Sequence, residues 1–174
     1  DATLQTSCKH CNAGESTDGK GKTTCNACAA GQFKASGSDS CESCPRGRAR
    51  SATDPSGECQ SCQRGKHQNE TGQAICLPCV PGKYGSEQGM TECEDCAQNT
   101  YTDATLQISC KNCNAGESTS GEGKTTCTAC AAGKFGGTQG MMECDDCAQN
   151  TYTDATLQRS CKNCSAGEST SGPG

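Results

Sequence analysis

Residues 110–130 read CKNCNAGESTSGEGKTTCTAC, two CxxC motifs whose first cysteines, Cys110 and Cys127, stand 17 residues apart. Between them lie Gly, Ser, Thr, Glu and Lys, with no large apolar residue and neither a helical nor an alternating pattern. Such a segment cannot fold by burying side chains, so its order must come from its cysteines and turn residues. The spacing extends in both directions. First cysteines fall at Cys8, Cys25, Cys41, Cys59, Cys76, Cys93, Cys110, Cys127, Cys144 and Cys161, in steps of 17, 16, 18 and then six of 17. A fixed short period marks units stacked along one direction, each touching mainly its neighbours.

Composition points the same way. Cysteine supplies 20 of 174 residues, a level characteristic of disulfide scaffolds, while Leu, Ile, Val and Phe together number nine. A chain so poor in apolar side chains is either disordered or held by cross-links, and regularly spaced cysteines favour the second. Net charge is −5 with no basic block to follow a phosphate backbone, so no nucleic-acid partner is expected. No apolar run is long enough for a bilayer, and no stretch has the charged, apolar and cleavage-site pattern of a signal peptide, so a targeting segment is expected to have been removed or to lie outside this stretch. Membrane insertion is therefore not expected in this stretch.

Three residues after each second cysteine stand Gly14, Gly31, Gly47, Gly65, Gly82, Asn99, Gly116, Gly133, Asn150 and Gly167. Gly and Asn are the residues that most readily adopt positive φ, which predicts a tight turn in every unit. Two residues further, five units carry an aromatic, Phe33, Tyr84, Tyr101, Phe135 and Tyr152, and the other five carry Ser16, Ala49, His67, Ser118 and Ser169. The aromatics are expected to pack on neighbouring disulfides as the only local core. Four residues before the first cysteine the slot holds Gly in six units, Leu4, Leu106 and Leu157 in those reading DATLQxSC, and Pro55 in one. The expected fold is a small disulfide-rich repeat: an elongated rod of short irregular antiparallel strand pairs and turns, with no conventional hydrophobic core and no substantial helix.

A second period is superimposed. Residues 99–123 and 150–174 agree at 22 of 25 positions across a shift of 51 residues, three basic units, and DATLQ also opens the sequence. Residues 1–174 thus read as one continuous array of ten CxxC units, expected to be a segment of a longer protein.

Zinc is the main chemical rival to disulfides, because consecutive CxxC motifs can supply four thiolates. Grouping the motifs in twos gives a unit of about 34 residues, in which the near-identical SCKNC of Cys110–Cys113 and of Cys161–Cys164 would serve opposite halves of a site. A unit of 17 avoids that conflict. It suits bonds from the second cysteine of one motif to the first of the next: Cys11–Cys25, Cys28–Cys41, Cys44–Cys59, Cys62–Cys76, Cys79–Cys93, Cys96–Cys110, Cys113–Cys127, Cys130–Cys144 and Cys147–Cys161, leaving Cys8 and Cys164 for partners outside this stretch. Each closed loop is worth roughly 3 kcal/mol in the chain-entropy model. Other disulfide patterns and a metal remain the alternatives, although no glycine follows a second cysteine to form a metal knuckle and only His10 and His67 could join the ligand set. Redox catalysis needs one activated thiolate at a helix start, and no CxxC is expected on a helix.

The unit CxxC(A/P)xGx(F/Y), seen in CAACAAGQF, CLPCVPGKY and CTACAAGKF, resembles the ephrin-receptor-like cysteine-rich repeat, akin to modules of tumour necrosis factor receptors. The resemblance spans essentially the whole chain, with Asn99 and Asn150 departing at the turn glycine. It implies a secreted or cell-surface location and the same loop-closing pairing. It does not imply ephrin or cytokine binding, since no ligand-contact motif carries over.

No catalytic set, cofactor or metal site emerges. Glu94, Asp95, Asp145 and Asp146 flank CxxC motifs, but such runs are read as a solvated acidic face; calcium is the alternative, without an ordered ligand loop. Asn69–Glu70–Thr71 and Asn163–Cys164–Ser165 fit the acceptor pattern for N-linked sugar, and Ser/Thr stretches could carry O-linked sugar. Two functions survive: a structural component of an extracellular filament, appendage or cell-surface stalk that associates with itself or other filament proteins through repeated surfaces, or a spacer or ligand-binding ectodomain of a receptor or adhesion protein. A binding patch of the second kind is expected in the least repetitive stretch, Arg46 to Gln73.

Overall fold

The computed structural model describes residues 11–17, 22, 24–35, 38, 40–140 and 143–172. Leu4, Cys8, His10, Gly21 and Gly37 lie outside them. The chain forms two compact units, Asp1–Leu77 with Gln88–Glu92, and Pro78–Glu87 with Cys93–Gly174.

Within both, the repeated element is one disulfide-closed hairpin. Each begins with a four-residue turn after the second cysteine of a CxxC. In the unit starting at Cys113, Glu117 N donates to Asn114 O at 3.0 Å and Gly116 lies at φ 87°. Positive φ at the third residue gives the turn type II character, which an ordinary L-residue resists. The two residues leaving the turn, Glu117–Ser118, pair antiparallel with Thr128–Ala129, the two residues between the cysteines of the next motif. Cys130 N then donates to Gly116 O at 2.8 Å. The Cys113–Cys127 bond, with its Cα atoms 5.7 Å apart, closes the base. Nine such two-stranded sheets follow one another, and the described residues contain no helix.

A two-residue pair is too short to persist alone, and the hairpins are held by backbone bonds between successive units. In the second compact unit Gly82 N donates to Thr102 O at 2.9 Å, Thr102 N to Lys124 O at 3.3 Å, and Gly123 N to Cys96 O at 2.7 Å. The first compact unit repeats the pattern with Gly31 N to Arg50 O (2.7 Å), Arg50 N to Gln73 O (3.2 Å) and Gly72 N to Cys44 O (2.8 Å). Turns also meet two units apart: a Cβ on Gly82 would collide with the Gly123 carbonyl, and one on Gly31 with that of Gly72. The glycines there are therefore fixed by contact as well as by φ.

The core is made of cystine. Cys44, Cys79, Cys96, Cys113 and Cys147 are fully buried, and Ala49 is the one non-cysteine residue among the buried apolar side chains of the described residues. The aromatics are not the core: Phe33, Tyr84, Tyr101 and Phe135 are half-buried and Tyr152 is exposed. Where serine holds the aromatic slot it reaches the next disulfide directly, Ser16 Oγ lying 3.1 Å from Cys41 Sγ and Ser118 Oγ 3.3 Å from Cys144 Sγ. The second layer of burial is polar. Besides Ser16 and Asn99 it is made of the residue six places after the second cysteine: Arg50, Gln68, Thr102, Thr119 and Thr153.

A second turn precedes the first cysteine of the motif, and in one unit it is displaced. The slot before the first cysteine has positive φ at Gly72, Gly89, Gly123 and Gly140 and, unusually, at Leu106 and Leu157, both at 63°. Before Cys59 it is Gly57 (φ 71°), not Pro55, that takes this conformation. Proline is locked at negative φ, and the Cys44–Cys59 loop has a separation of 15 rather than 14, which moves the turn along the chain.

Candidate functional site

With cystine and turns inside, the side chains available for recognition are those on the hairpin strands. The pair between the cysteines of each motif points outward: Glu94–Asp95, Lys111–Asn112, Asp145–Asp146 and Lys162–Asn163 are all exposed. Most charges there are committed across the hairpin. Lys83 pairs with Asp95 at 2.7 Å, Lys111 with Asp103 at 2.8 Å, Lys162 with Asp154 at 3.2 Å, and Lys134 with Asp146. The hydrogen bond from Lys111, with its charge, holds the Asp103 carboxyl below the usual 3.8, and Lys162 does the same for Asp154. Tyr84 is hydrogen-bonded to Glu94, which raises its hydroxyl above 10.0. The acidic runs read from the sequence are thus parts of cross-strand pairs.

One face occurs twice. Lys111 Nζ lies 5.8 Å from the Tyr101 ring centroid, and Lys162 Nζ lies 6.0 Å from that of Tyr152. Asp103 and Asp154 pair with these lysines, and the loops of the same two hairpins carry the exposed, positive-φ Leu106 and Leu157. The two sets are related by the 51-residue shift. Holding leucine in the left-handed region costs about 1–2 kcal/mol, a cost the duplicated DATLQ segment carries in both copies.

The cysteines form one series of bonds: Cys11–Cys25, Cys28–Cys41, Cys44–Cys59, Cys62–Cys76, Cys79–Cys93, Cys96–Cys110, Cys113–Cys127, Cys130–Cys144 and Cys147–Cys161. Cys8 falls outside the described residues; Cys164 is half-buried and has no disulfide. All ten turn residues have positive φ, from 62° at Asn99 to 91° at Gly167. Asn69 is exposed at the edge of a bend, and Asn163 is exposed in a strand opposite Thr151.

Sequence reading missed the buried position six after the second cysteine. There Thr119 and Asn99 make reciprocal bonds: Asn99 N donates to Thr119 Oγ1 at 2.7 Å, and Thr119 N donates to Asn99 Oδ1 at 2.8 Å. Thr102 Oγ1 receives Gly82 N, and Thr153 Oγ1 receives Gly133 N. The available signal was threonine recurring at Thr17, Thr102, Thr119, Thr153 and Thr170. Arg50 occupies the same position, and its Nη1 donates to the carbonyls of Cys28 (3.3 Å) and Gln32 (2.9 Å).

The first compact unit has a cleft of about 260 Å³ lined by Phe33, Lys34, Ala35 and Pro45 together with Arg48, Glu58 and Cys59 of the Arg46–Gln73 stretch. No helix among the described residues is long and apolar enough to cross a membrane.

Residues 133–174 match the family model described as tyrosine-protein kinase ephrin type A/B receptor-like. No curated protein matches the chain. Modules of this kind are typically non-enzymatic, and together with nine disulfides the match points to an extracellular or cell-surface location. The chain is a tandem cysteine-rich repeat array with an ephrin-receptor-like module at residues 133–174, of the kind suited to extracellular, receptor-type ectodomains.

Proposed function

We propose that the chain is a structural segment of an extracellular filament, appendage or cell-surface stalk, associating with copies of itself or with other filament proteins through repeated surfaces. The observation that carries this reading is the duplicated face. Tyr101, Asp103, Leu106 and Lys111 recur as Tyr152, Asp154, Leu157 and Lys162 with the same ion pair, the same ring contact and the same unfavourable leucine φ. Identical contacts repeated along a chain are what non-closing, head-to-tail assembly requires. The hairpins supply a matching scaffold, because they are joined to each other by backbone bonds and cystine and so leave the outer side chains free to specify contacts. N-linked sugar on Asn69 and Asn163 would add a coat to the array, and Asn69, exposed and clear of the strands, is the better acceptor.

A second reading, a spacer or ligand-binding ectodomain, draws on the receptor-like match at 133–174 and on the non-repeating basic stretch. Electron microscopy of the native material separates the two. Polymers whose chain–chain contacts bury both copies of the Tyr–Asp–Leu–Lys face are expected; isolated chains engaging a ligand through a single patch would replace the filament reading with the second.

A further inference from the structure

The structure assigns one more site, carried by two hairpins that break the repeat in the same way. In the units beginning at Cys44 and Cys62, the residues two and four places after that cysteine are Arg46 and Arg48, and Arg64 and Lys66. In the eight other units the first of these positions is Ala, Pro or Gln. The equivalence places the four cations at matching points of successive hairpins, and the hairpins are held side by side by Gly47 N donating to Gln68 O at 2.7 Å. Residues 46–67 carry five Lys and Arg against Asp54 and Glu58, a net charge of +3 in a chain whose total is −5.

Lys83, Lys111, Lys134 and Lys162 each face an aspartate, whereas Arg46, Arg48 and Lys66 have no ion pair among the described residues. Arg50 adds a buried positive charge in the same unit, bonded to backbone carbonyls. Arg48 also lines the cleft with Phe33, Pro45 and Cys59, with Lys34 on the same cleft and Glu58 as its single carboxylate.

We infer that this surface binds a linear acidic polysaccharide, its sulfate or carboxylate groups meeting Arg46, Arg48, Arg64 and Lys66 and one sugar ring entering the cleft against Phe33. Guanidinium forks match sulfate and carboxylate oxygens in pairs, and two successive cationic hairpins suit a ligand that carries a charge on each residue. An aromatic ring in the lining, Phe33, gives a sugar ring an apolar surface that a bare ion would not use. The extracellular setting favours a polysaccharide over a nucleic acid. The inference holds equally for a filament segment and for an ectodomain, so it stands apart from the polymer question.

The test uses the whole oxidised chain on immobilised heparin, with dextran, double-stranded DNA and phosphatidylserine-containing vesicles as comparisons. Salt-sensitive retention on heparin and none on dextran is expected. Arg46→Gln/Arg48→Gln/Arg64→Gln/Lys66→Gln should lose that retention. Lys83→Gln/Lys111→Gln/Lys134→Gln/Lys162→Gln, which changes net charge equally, should keep it. Arg48 Nη1 also donates to Cys59 O, so the pair Arg46→Gln/Lys66→Gln is measured alongside and should weaken retention while the nine disulfides still form. Phe33→Ala should lower retention on heparin without restoring binding to dextran. Equal losses in the two quadruple variants, stronger binding to DNA or vesicles than to heparin, or no retention at all would overturn the assignment.

Discussion

Buried hydroxyls hold this molecule together where a larger protein would use aliphatic side chains, and single atoms can be assigned different weights. Asn99 N has Thr119 Oγ1 as its bonded acceptor, at 2.7 Å, whereas Gly82 N reaches both the hydroxyl and the carbonyl of Thr102, at 2.8 and 2.9 Å. Both threonines are buried. Thr119→Val therefore strands a buried N–H and is expected to cost about 1–3 kcal/mol, while Thr102→Val leaves Gly82 N its carbonyl partner and should cost clearly less. Amide exchange at Asn99 and Gly82 reads the difference; equal acceleration at the two amides would show that the hydroxyls are not the acceptors that matter. At this scale the sequence is only half readable. Positive φ at the turns follows from residue type, because Gly and Asn tolerate the left-handed region. Burial of Thr102 and Thr119 does not follow, because their hydroxyls are engaged by the preceding unit, at Gly82 and Asn99, rather than by anything within their own hairpins. Arg50 shows why polar type misleads: its charged end serves carbonyls inside the fold, Cys28 O among them, where the equivalent Cys44 O receives a backbone N–H from Gly72.

At the scale of the hairpin, charge pairs tune the surface more than they build it, since exposed ion pairs contribute little to stability. Their protonation is nonetheless specific. Asp103 is held below 3.8 by its hydrogen bond to Lys111, and Lys111 is held above 10.5 by Asp103. A lowered carboxylate contributes fully above its ordinary value and loses that contribution as pH falls through the lowered one. A raised lysine contributes fully below its ordinary value and loses it as pH climbs through the raised one. The pair should thus stay intact across the whole neutral range and open only in strong acid or strong base. Carboxyl chemical shifts followed through acid should show Asp103 titrating below 3.8, and Lys111→Ala should move it up toward the ordinary range, the backbone hydrogen bond at Asp103 keeping part of the effect; an unchanged midpoint in the variant would rule out the lysine as the main cause. The hairpins themselves were legible: short antiparallel pairs, no helix and no conventional core follow from cysteine spacing and the scarcity of aliphatics. The aromatics were over-read. Phe33 and Tyr101 are only half-buried because the cystines already fill the space between successive units, and Pro55 lost its turn to Gly57 because a longer loop let the chain choose a residue that can reach positive φ.

At the scale of the whole array, the absence of a shared apolar core changes how damage spreads. Within each compact unit successive hairpins are bonded to each other, and turns touch two units along, as Gly82 does with Thr102 and with Gly123. Stability is then a sum of local loops and near-neighbour terms rather than one cooperative quantity. Replacing Cys96 and Cys110 together by alanine removes one loop closure, worth roughly 3 kcal/mol, and empties a site that is fully buried at Cys96. The loss should appear first in the Thr100–Tyr101/Lys111–Asn112 hairpin. It should spread to the amides that depend on it directly, Gly123 N on Cys96 O and Cys113 N on Asn99 O. Three units along, the Thr151–Tyr152/Lys162–Asn163 hairpin keeps its own Cys147–Cys161 bond and its Cys164 N to Asn150 O bond at 3.0 Å. Hydrogen exchange on the double variant, with the other eight disulfides verified by non-reducing peptide mapping, is expected to show deprotection that fades within two units. Uniform deprotection from residue 93 to residue 172 would mean that the hairpins share a cooperative core after all, and the cystines would then be reinforcing a fold instead of constituting it.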